Sequence, residues 1–258
     1  MTLDYKNSAM HYTVSGDGPV VILLHGFLET IAMWNEIAPE LSKTNKVVCI
    51  DLLGHGETDC LGYVHTMEAM ADAVFAVISH LKIKKAYVIG HSMGGYVALA
   101  LADIKPELFI GLCLMNSTFE ADDSEKQRIR TRAIKMAQTN YKNLVRLSFA
   151  NLFAPESRTK FKADYDSALK IALQTSVQGY IAAQEGMKAR PNRFNVLKNL
   201  KGRKRILIGK KDTLVNSKYL IEQLKNTTID FTIFSEGHMS HIENKYDLSY
   251  IIKRFIEK

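Results

Sequence analysis

Residues 88–96 read Val-Ile-Gly-His-Ser-Met-Gly-Gly-Tyr, and they set the architecture expected for the whole chain. A short apolar run of the kind found in buried strands comes before this turn, and a clean helical pattern, Tyr96–Ile104, comes after it. A serine between glycines at a strand-to-helix turn is held above the sheet edge, and the glycines permit close backbone approach. The pattern therefore predicts a nucleophilic serine, Ser92, beside the positive end of a helix dipole. The alternative is an ordinary turn that uses glycine for its geometry.

Outward from this turn, short continuous apolar runs alternate with amphipathic helical patterns. The runs are Val20–Leu24, Lys46–Asp51, Ala86–Gly90, Gly111–Met115, Arg205–Gly209 and Asp230–Phe234. Fully apolar strands separated by helices are typical of a parallel sheet covered on both faces. We therefore predict an α/β fold with a mostly parallel, doubly wound sheet flanked by helices. Residues Leu3–Val14 are expected to pair antiparallel at the sheet edge.

The middle of the chain has a different character. Residues 119–202 contain no clear strand and carry several helical patterns interrupted by Pro155, Gly179 and Pro191. We interpret this segment as an inserted helical cap. Residues 1–118 and 203–258 then form the α/β core domain.

Five signatures occur in the order that characterises one large family. They are His25-Gly26-Phe27, the segment 51–56 (Asp-Leu-Leu-Gly-His-Gly), the segment 90–95 around Ser92, the segment 209–212 (Gly-Lys-Lys-Asp), and Gly237-His238 followed by Glu243. On these residues the chain resembles the α/β-hydrolase family over nearly its whole length. The resemblance implies the order nucleophile, acid, base, which here is Ser92, Asp212 and His238.

The expected roles follow from the chemistry of these groups. His238 would take the serine proton, and Asp212 would hold the imidazole in the right tautomer and stabilise the imidazolium. By resemblance, the oxyanion hole would consist of the backbone N–H groups of Phe27 and Met93. His241, three residues beyond His238, is the alternative base, and Asp212 has an alternative role as a helix cap or surface acid.

The resemblance also implies that the inserted helices cover the active site and set specificity. Trp34, Phe27 and Met93 are expected to form an apolar wall near the serine, and Met187 to line the substrate pocket. Arg190 is a candidate partner for a substrate carboxylate. The favoured alternative for Arg190 is a helix C-terminal role, in which it binds carbonyl groups before Pro191.

These features predict a serine hydrolase that cleaves carboxylic esters of small to medium acyl chain through an acyl-enzyme. The first alternative is the same triad acting on a C–C bond, a lactone or a lyase-type substrate of the menaquinone pathway. The lyase reaction would need several cap arginines to face the pocket; the candidates are Arg128, Arg130, Arg132 and Arg146. A non-catalytic ligand-binding homologue is a weaker alternative, because the intact triad argues against a silent site.

The amino-acid composition limits which other classes of function are possible. The 258 residues are 47% hydrophobic and carry a net charge of +7, and the surplus of basic residues lies within 120–202, mixed with acidic and apolar residues. This distribution argues against nucleic-acid binding, and no apolar stretch is long enough to span a membrane. No metal, nucleotide or flavin is implied, so the expected partner is a small-molecule substrate. We expect a cytoplasmic protein that is a monomer or a homodimer.

Overall fold

The apolar runs of the sequence form the centre of one eight-stranded sheet in the computed structural model, which describes residues 1–257. The strands are β1 (Thr2–Tyr5), β2 (Ser8–Ser15), β3 (Val20–Leu24), β4 (Lys46–Ile50), β5 (Ala86–His91), β6 (Phe109–Met115), β7 (Arg203–Gly209) and β8 (Asp230–Phe234). Their order across the sheet is β1-β2-β4-β3-β5-β6-β7-β8. The pairs β1–β2 and β2–β4 are antiparallel, and all other neighbours are parallel. The predicted fold class is confirmed.

Helices connect the parallel strands, as parallel connections require. They are α1 (Ile37–Leu41), α2 (Met67–His80), α3 (Met93–Ile104), α4 (Ser124–Ala150), α5 (Ser157–Lys160), α6 (Lys162–Ala172), α7 (Val177–Ala189), α8 (Phe194–Asn199), α9 (Ser217–Leu224), α10 (Ser240–Glu243) and α11 (Lys245–Glu257). Short 3-10 helices lie at Ile31–Trp34 and Pro106–Leu108. Within residues 1–257, no helix is both long and apolar enough to cross a membrane.

Two apolar layers, one on each face of the sheet, make the fold doubly wound. One layer contains side chains of α2, α3 and α9, for example Val74, Val97 and Leu220. The other contains side chains of α1 and α11, for example Leu41 and Ile252. Alternate residues of each central strand enter opposite layers, so the strands are buried on both sides, which explains their continuous apolar sequences.

Five helices, α4–α8, lie between β6 and β7, where the sequence predicts the insertion. Helices α4, α6 and α7 contribute Phe149, Ala172 and Tyr180 to a third apolar cluster, which also contains Leu28, Met239 and Ile242 from outside the inserted segment. Helix α8 contributes no buried residue to this cluster, and its Leu197, like Ala183 and Met187 of α7, is buried in the same layer as α3. The last helix of the inserted segment thus packs with the sheet-covering helices.

Candidate active site

Ser92 occupies the turn between β5 and α3 in a strained backbone conformation. Its φ is 48° and its ψ is −113°, outside the regions that residues with a side chain normally adopt. The turn is tight enough to require glycine on both sides. A Cβ on Gly90 would lie 2.4 Å from the Gly94 carbonyl oxygen, and one on Gly94 would lie 2.4 Å from the Leu24 carbonyl oxygen. The tight strand-to-helix turn that the sequence predicts at residues 90–94, here called the elbow, is therefore present in the structure.

Asp212 and His238 lie together at the carboxyl edge of the sheet. His238 Nδ1 is 2.7 Å from Asp212 Oδ2, and both side chains are buried. The other carboxylate oxygen, Oδ1, accepts the backbone N–H groups of Leu214 and Val215 at 2.8 and 3.1 Å. Burial alone would raise the pKa of Asp212, but His238 and these N–H donors outweigh it and lower the pKa. The acid is therefore ionised and sets Nδ1 as the protonated nitrogen of His238.

This tautomer leaves Nε2 of His238 as the basic nitrogen. Ser92 and His238 line the same cavity. Within residues 1–257 no hydrogen bond joins the Ser92 hydroxyl to the imidazole. Such contacts often tighten only when a substrate binds, so the arrangement is suited to general-base chemistry.

His241 lies behind the site and has no contact with Asp212. Its Nε2 is 3.8 Å from Glu29 Oε1, and its Nδ1 is buried with no hydrogen-bond partner among residues 1–257. Burial is the main reason that its pKa is lowered to about 4. The geometry favours His238 over His241 as the base.

The two residues expected to form the oxyanion hole flank Ser92 from different segments. Met93 is the first residue of α3, where backbone N–H groups have no partner within the helix. Phe27 follows Gly26 at the end of β3 and lines the cavity that contains Ser92. In the described part of the chain, neither N–H is used in a hydrogen bond. Both donors are thus free to bind a developing oxyanion.

Glu29 and His91 form a buried pair that the sequence analysis missed. Glu29 Oε2 is 2.6 Å from His91 Nδ1 and also accepts the Gly26 N–H at 2.6 Å. His91 Nε2 is 3.0 Å from the His238 carbonyl oxygen, which can only accept, so Nε2 carries a proton. His91 thus joins the turn that carries Ser92 to the segment that carries His238. Glu29 had no sequence signal beyond its place in the loop after Phe27.

The proton between Glu29 and His91 belongs on the histidine. Burial lowers the pKa of His91, but the Glu29 carboxylate raises it more, so the net direction is upward. Burial raises the pKa of Glu29, but His91 and the neighbouring histidines lower it to about 2. The pair is therefore an imidazolium and a carboxylate, which makes both hydrogen bonds charge-assisted.

Glu29, His91 and His241 are also a possible metal-ligand group, because their ligand atoms lie within 4.8 Å of one another. Glu29 Oε2 and His91 Nδ1 already bond to each other, and Oε2 holds the Gly26 N–H as well. A metal ion would have to break these bonds. We therefore interpret the cluster as a hydrogen-bonded ion pair with His241 beside it.

Asn116 is a second functional residue that the sequence analysis missed. Its Nδ2 donates to Asp212 Oδ2 at 3.3 Å and to the Gly237 carbonyl oxygen at 3.1 Å. Its Oδ1 accepts the Ser240 hydroxyl at 2.6 Å. This one amide ties the acid to both sides of His238. Its position directly after β6, at the same sheet edge as Ser92, Asp212 and His238, was the available signal.

The cavity above Ser92 has a volume of about 330 Å³. It lies between the sheet edge and the inserted helices, and Met187 and Arg190 line it as expected. Arg190 is engaged at the end of α7, where its NH1 donates to the Met187 carbonyl at 2.8 Å and its Nε to the Glu120 carbonyl at 2.9 Å. This is the helix-terminal role that the sequence favoured.

Trp34 does not line the pocket, so the expectation from the sequence is wrong for this residue. Its side chain is completely buried among Val21, Leu41 and Cys49, in the layer on the α1 and α11 face of the sheet. It does not contribute to the lining of the cavity at Ser92. The reason is local: Thr30 caps the 3-10 helix Ile31–Trp34, which carries the tryptophan away from the loop that contains Phe27. Phe27 itself packs against Tyr180, with ring centroids 4.9 Å apart.

Some known proteins are similar to less than half of this chain, and others are similar to nearly all of it. An uncharacterized protein of Mycobacterium tuberculosis is 32% identical over 106 residues, which is 41% of this chain and 31% of that protein. The chain spans between 29% and 43% of the length of several such curated relatives. The "Putative esterase/lipase" of Haemophilus influenzae is 27% identical across 99% of this chain and 88% of that protein.

A solved structure and a family profile are similar to this chain over nearly its whole length. A thermophilic esterase from Thermogutta terrifontis, solved with malate bound, has a TM-score of 0.92 and 25% identity, covering 99% of this chain and 96% of that one. The family profile of the alpha/beta hydrolase fold matches residues 19–245. The chain therefore belongs to the alpha/beta hydrolase fold family.

Proposed function

We propose that this hydrolase cleaves carboxylic esters of small to medium acyl chain through an acyl-enzyme on Ser92. The observation that carries the proposal is the 2.7 Å contact between His238 Nδ1 and Asp212, in a cavity that His238 and Ser92 both line. A charged acid behind an oriented imidazole is the arrangement that makes a serine hydroxyl nucleophilic.

Acylation would proceed from this geometry. Ser92 Oγ attacks the ester carbonyl carbon while His238 Nε2 accepts the hydroxyl proton. The carbonyl oxygen becomes an oxyanion that the N–H groups of Phe27 and Met93 bind. The bond to the alkoxy oxygen then breaks, and His238 returns its proton to that oxygen, releasing the alcohol.

Deacylation repeats the sequence with water as the nucleophile. His238 takes a proton from the water, whose oxygen attacks the acyl carbon. The C–Oγ bond of the second tetrahedral intermediate breaks, and His238 protonates Ser92 as the carboxylic acid leaves. Asp212 stays ionised throughout and stabilises each transient imidazolium.

The cavity supports a substrate of modest size. Its volume of about 330 Å³ lies at the lower end of the range for small-molecule sites. Much of its lining is apolar, including Leu28, Ile129, Leu152 and Met187. These surfaces suit a short acyl chain.

The lyase-type alternative receives little support from the positions of the arginines. It needs several cap arginines that face the pocket, yet Arg128, Arg132 and Arg146 are exposed to solvent. Arg130 lines the cavity together with Arg190. A lactone remains a close variant of the same chemistry, since it is a cyclic ester.

Release of p-nitrophenol from acetate and butyrate esters tests the proposal. We expect wild-type activity and, for the Ser92→Ala variant, a loss of about a thousandfold or more in kcat, because the acyl-enzyme cannot form. A folded wild-type protein without turnover, or equal activity in the variant, would refute ester hydrolysis by Ser92.

The same assay separates the two candidate bases. His238→Ala should lose activity to a similar extent as Ser92→Ala, whereas His241→Phe should retain most of it. The opposite ranking would move the base role to His241.

A further inference from the structure

An arginine pair and one buried aspartate form part of the cavity wall contributed by the inserted segment. Arg190 NH1 lies 2.7 Å from Asp122 Oδ1, and Arg130 Nε pairs with the other oxygen, Oδ2. The Asp122 side chain is completely buried. Burial raises its pKa, but the two guanidinium groups more than compensate and lower it, so it stays ionised. One carboxylate against two guanidiniums leaves this cluster with an excess positive charge.

Lys126 adds to that excess. It lies one turn before Arg130 on α4, lines the same cavity, and has no acidic partner among residues 1–257. The other carboxylate in the lining, Glu29, is paired with His91. The wall formed by Lys126, Arg130 and Arg190 is therefore cationic even after Asp122 is counted.

This cationic wall lies within reach of the nucleophile. Tyr96 follows Ser92 by one turn of α3, and the Arg190 guanidinium carbon lies 4.0 Å from the Tyr96 ring centroid. With a rise of about 1.5 Å per residue, the Arg190 guanidinium stands on the order of 10 Å from Ser92. Arg130 pairs with the same Asp122 carboxylate as Arg190, and it lines the Ser92 cavity together with Lys126. Gln184 orients Arg130, since its Oε1 accepts from Arg130 NH1 at 2.8 Å.

We propose that this wall binds a carboxylate at the end of the acyl chain, so that the preferred substrates are half-esters of short dicarboxylic acids. The inference rests on the proposed hydrolase function and names its substrate class. A chain of about four to six carbons would place the ester carbonyl at Ser92 and the free carboxylate at Arg130 and Lys126. Arginine suits this position because its planar fork matches carboxylate geometry.

Two esters of equal chain length test the proposal: mono-p-nitrophenyl glutarate and p-nitrophenyl pentanoate. The wild type should have the higher kcat/KM for the glutarate half-ester. Arg130→Gln should lower the glutarate-to-pentanoate ratio by about 10- to 100-fold, mainly through the KM of the glutarate ester, because a hydrogen bond between charged groups is lost. The exposed Arg132→Gln on the same helix is the matched control and should leave the ratio unchanged.

A purely structural role of the ion pairs predicts something different. If Arg130 only ties α4 to the end of α7, its loss affects both esters equally, and the ratio stays constant. An unchanged ratio, or a wild-type preference for the pentanoate, overturns the proposal. Lys126→Gln is the second variant, for the case that Arg130→Gln does not fold. It leaves no buried charge unpaired, and it should also lower the glutarate-to-pentanoate ratio.

Binding of glutarate separates failure of this inference from failure of the hydrolase proposal. If the wild type hydrolyses neither ester, ester hydrolysis is refuted, but isothermal titration with glutarate still reports on the subsite. Binding that Lys126→Gln or Arg130→Gln weakens supports the anionic subsite. The absence of glutarate binding to the wild type, together with no preference between the esters, overturns it.

Discussion

Glu29 links the loop of the proposed oxyanion hole to the segment that carries the proposed base. Its carboxylate fixes the Gly26 N–H of the loop that carries Phe27, and through His91 it reaches the His238 carbonyl. Removing it would release the loop that supplies one oxyanion donor. Loss of one such donor costs on the order of 100-fold or more in kcat.

We therefore expect Glu29→Ala to lower kcat for p-nitrophenyl butyrate by about 100-fold with KM changed by about threefold or less. Glu29→Gln should recover part of this loss, because its amide oxygen can take the place of Oε2 and still accept the Gly26 N–H. Steady-state kinetics with Glu36→Ala, a nearby exposed acid paired with Lys245, provides the control. Equal effects of the Glu29→Ala and Glu36→Ala variants would contradict this role.

Individual residues were predictable where the chemistry follows a local pattern. The elbow identifies Ser92, and the strand ends identify Asp212 and His238, because the carboxyl ends of parallel strands meet at one edge. Glu29 and His91 are far apart in sequence, and no local rule pairs them. Trp34 was misplaced because a capped 3-10 helix, invisible as a periodic pattern, redirects the side chain.

At the level of elements, helix α7 docks on the core through two glycines. A Cβ on Gly179 would lie 2.2 Å from the Gly54 carbonyl oxygen, and a Cβ on Gly186 would lie 1.7 Å from the His65 carbonyl oxygen. Gly179 and Gly186 are seven residues apart, so they share one face of the helix. This close approach positions Tyr180 and Met187 at the cavity.

Gly186→Ala should destabilise the protein despite the better helix propensity of alanine. The propensity gain is about 1 kcal/mol, but the Cβ would meet backbone atoms that cannot move aside, so α7 must shift at a cost of about 1–3 kcal/mol or more. We expect a Tm lower by several degrees, on the order of 2–4 °C per kcal/mol, and reduced esterase activity. Val177→Ala, at an exposed position of α7, is the control for thermal unfolding and kinetics. A Gly186→Ala protein as stable and active as wild type would contradict this docking.

The helices of the inserted segment could be predicted from the sequence, but the way they pack could not. Apolar periodicity predicts the helices of the inserted segment, yet it does not show that Leu197 of α8 and Met187 of α7 are buried with α3 whereas Phe149 of α4 belongs to a separate cluster. Helix α4 also changes direction at Asn140, where φ is −142° and ψ is 51°. Such choices depend on contacts between segments that are distant in the chain.

For the molecule as a whole, buried neutral histidines make stability depend on pH. His25, His55 and His241 are fully enclosed, and burial lowers the pKa of each, to about 3 for His55 and about 4 for His241. In the unfolded chain a histidine binds a proton near pH 6.5. Below that pH the unfolded state binds more protons than the folded state, so the free energy of unfolding falls as the pH falls.

Each such histidine contributes a slope of about 1.4 kcal/mol per pH unit below pH 6.5. His55→Phe keeps a ring beside Phe27 and His25 but removes one titrating group. The difference in unfolding free energy between pH 7 and pH 5 should therefore be smaller by about 2 kcal/mol in His55→Phe than in wild type. Urea unfolding at the two pH values measures this difference, and the exposed His80→Asn should leave it unchanged. Identical differences in the wild type and His55→Phe would contradict the linkage.

Covalent labelling shows whether Ser92 is the nucleophile. The protein is treated with a fluorophosphonate, digested, and its peptides are mapped by mass spectrometry. A serine activated by His238 and Asp212 predicts one adduct, on Ser92, that is lost in His238→Ala. No adduct on folded wild-type protein, or an adduct on another residue while ester hydrolysis persists, would contradict the account.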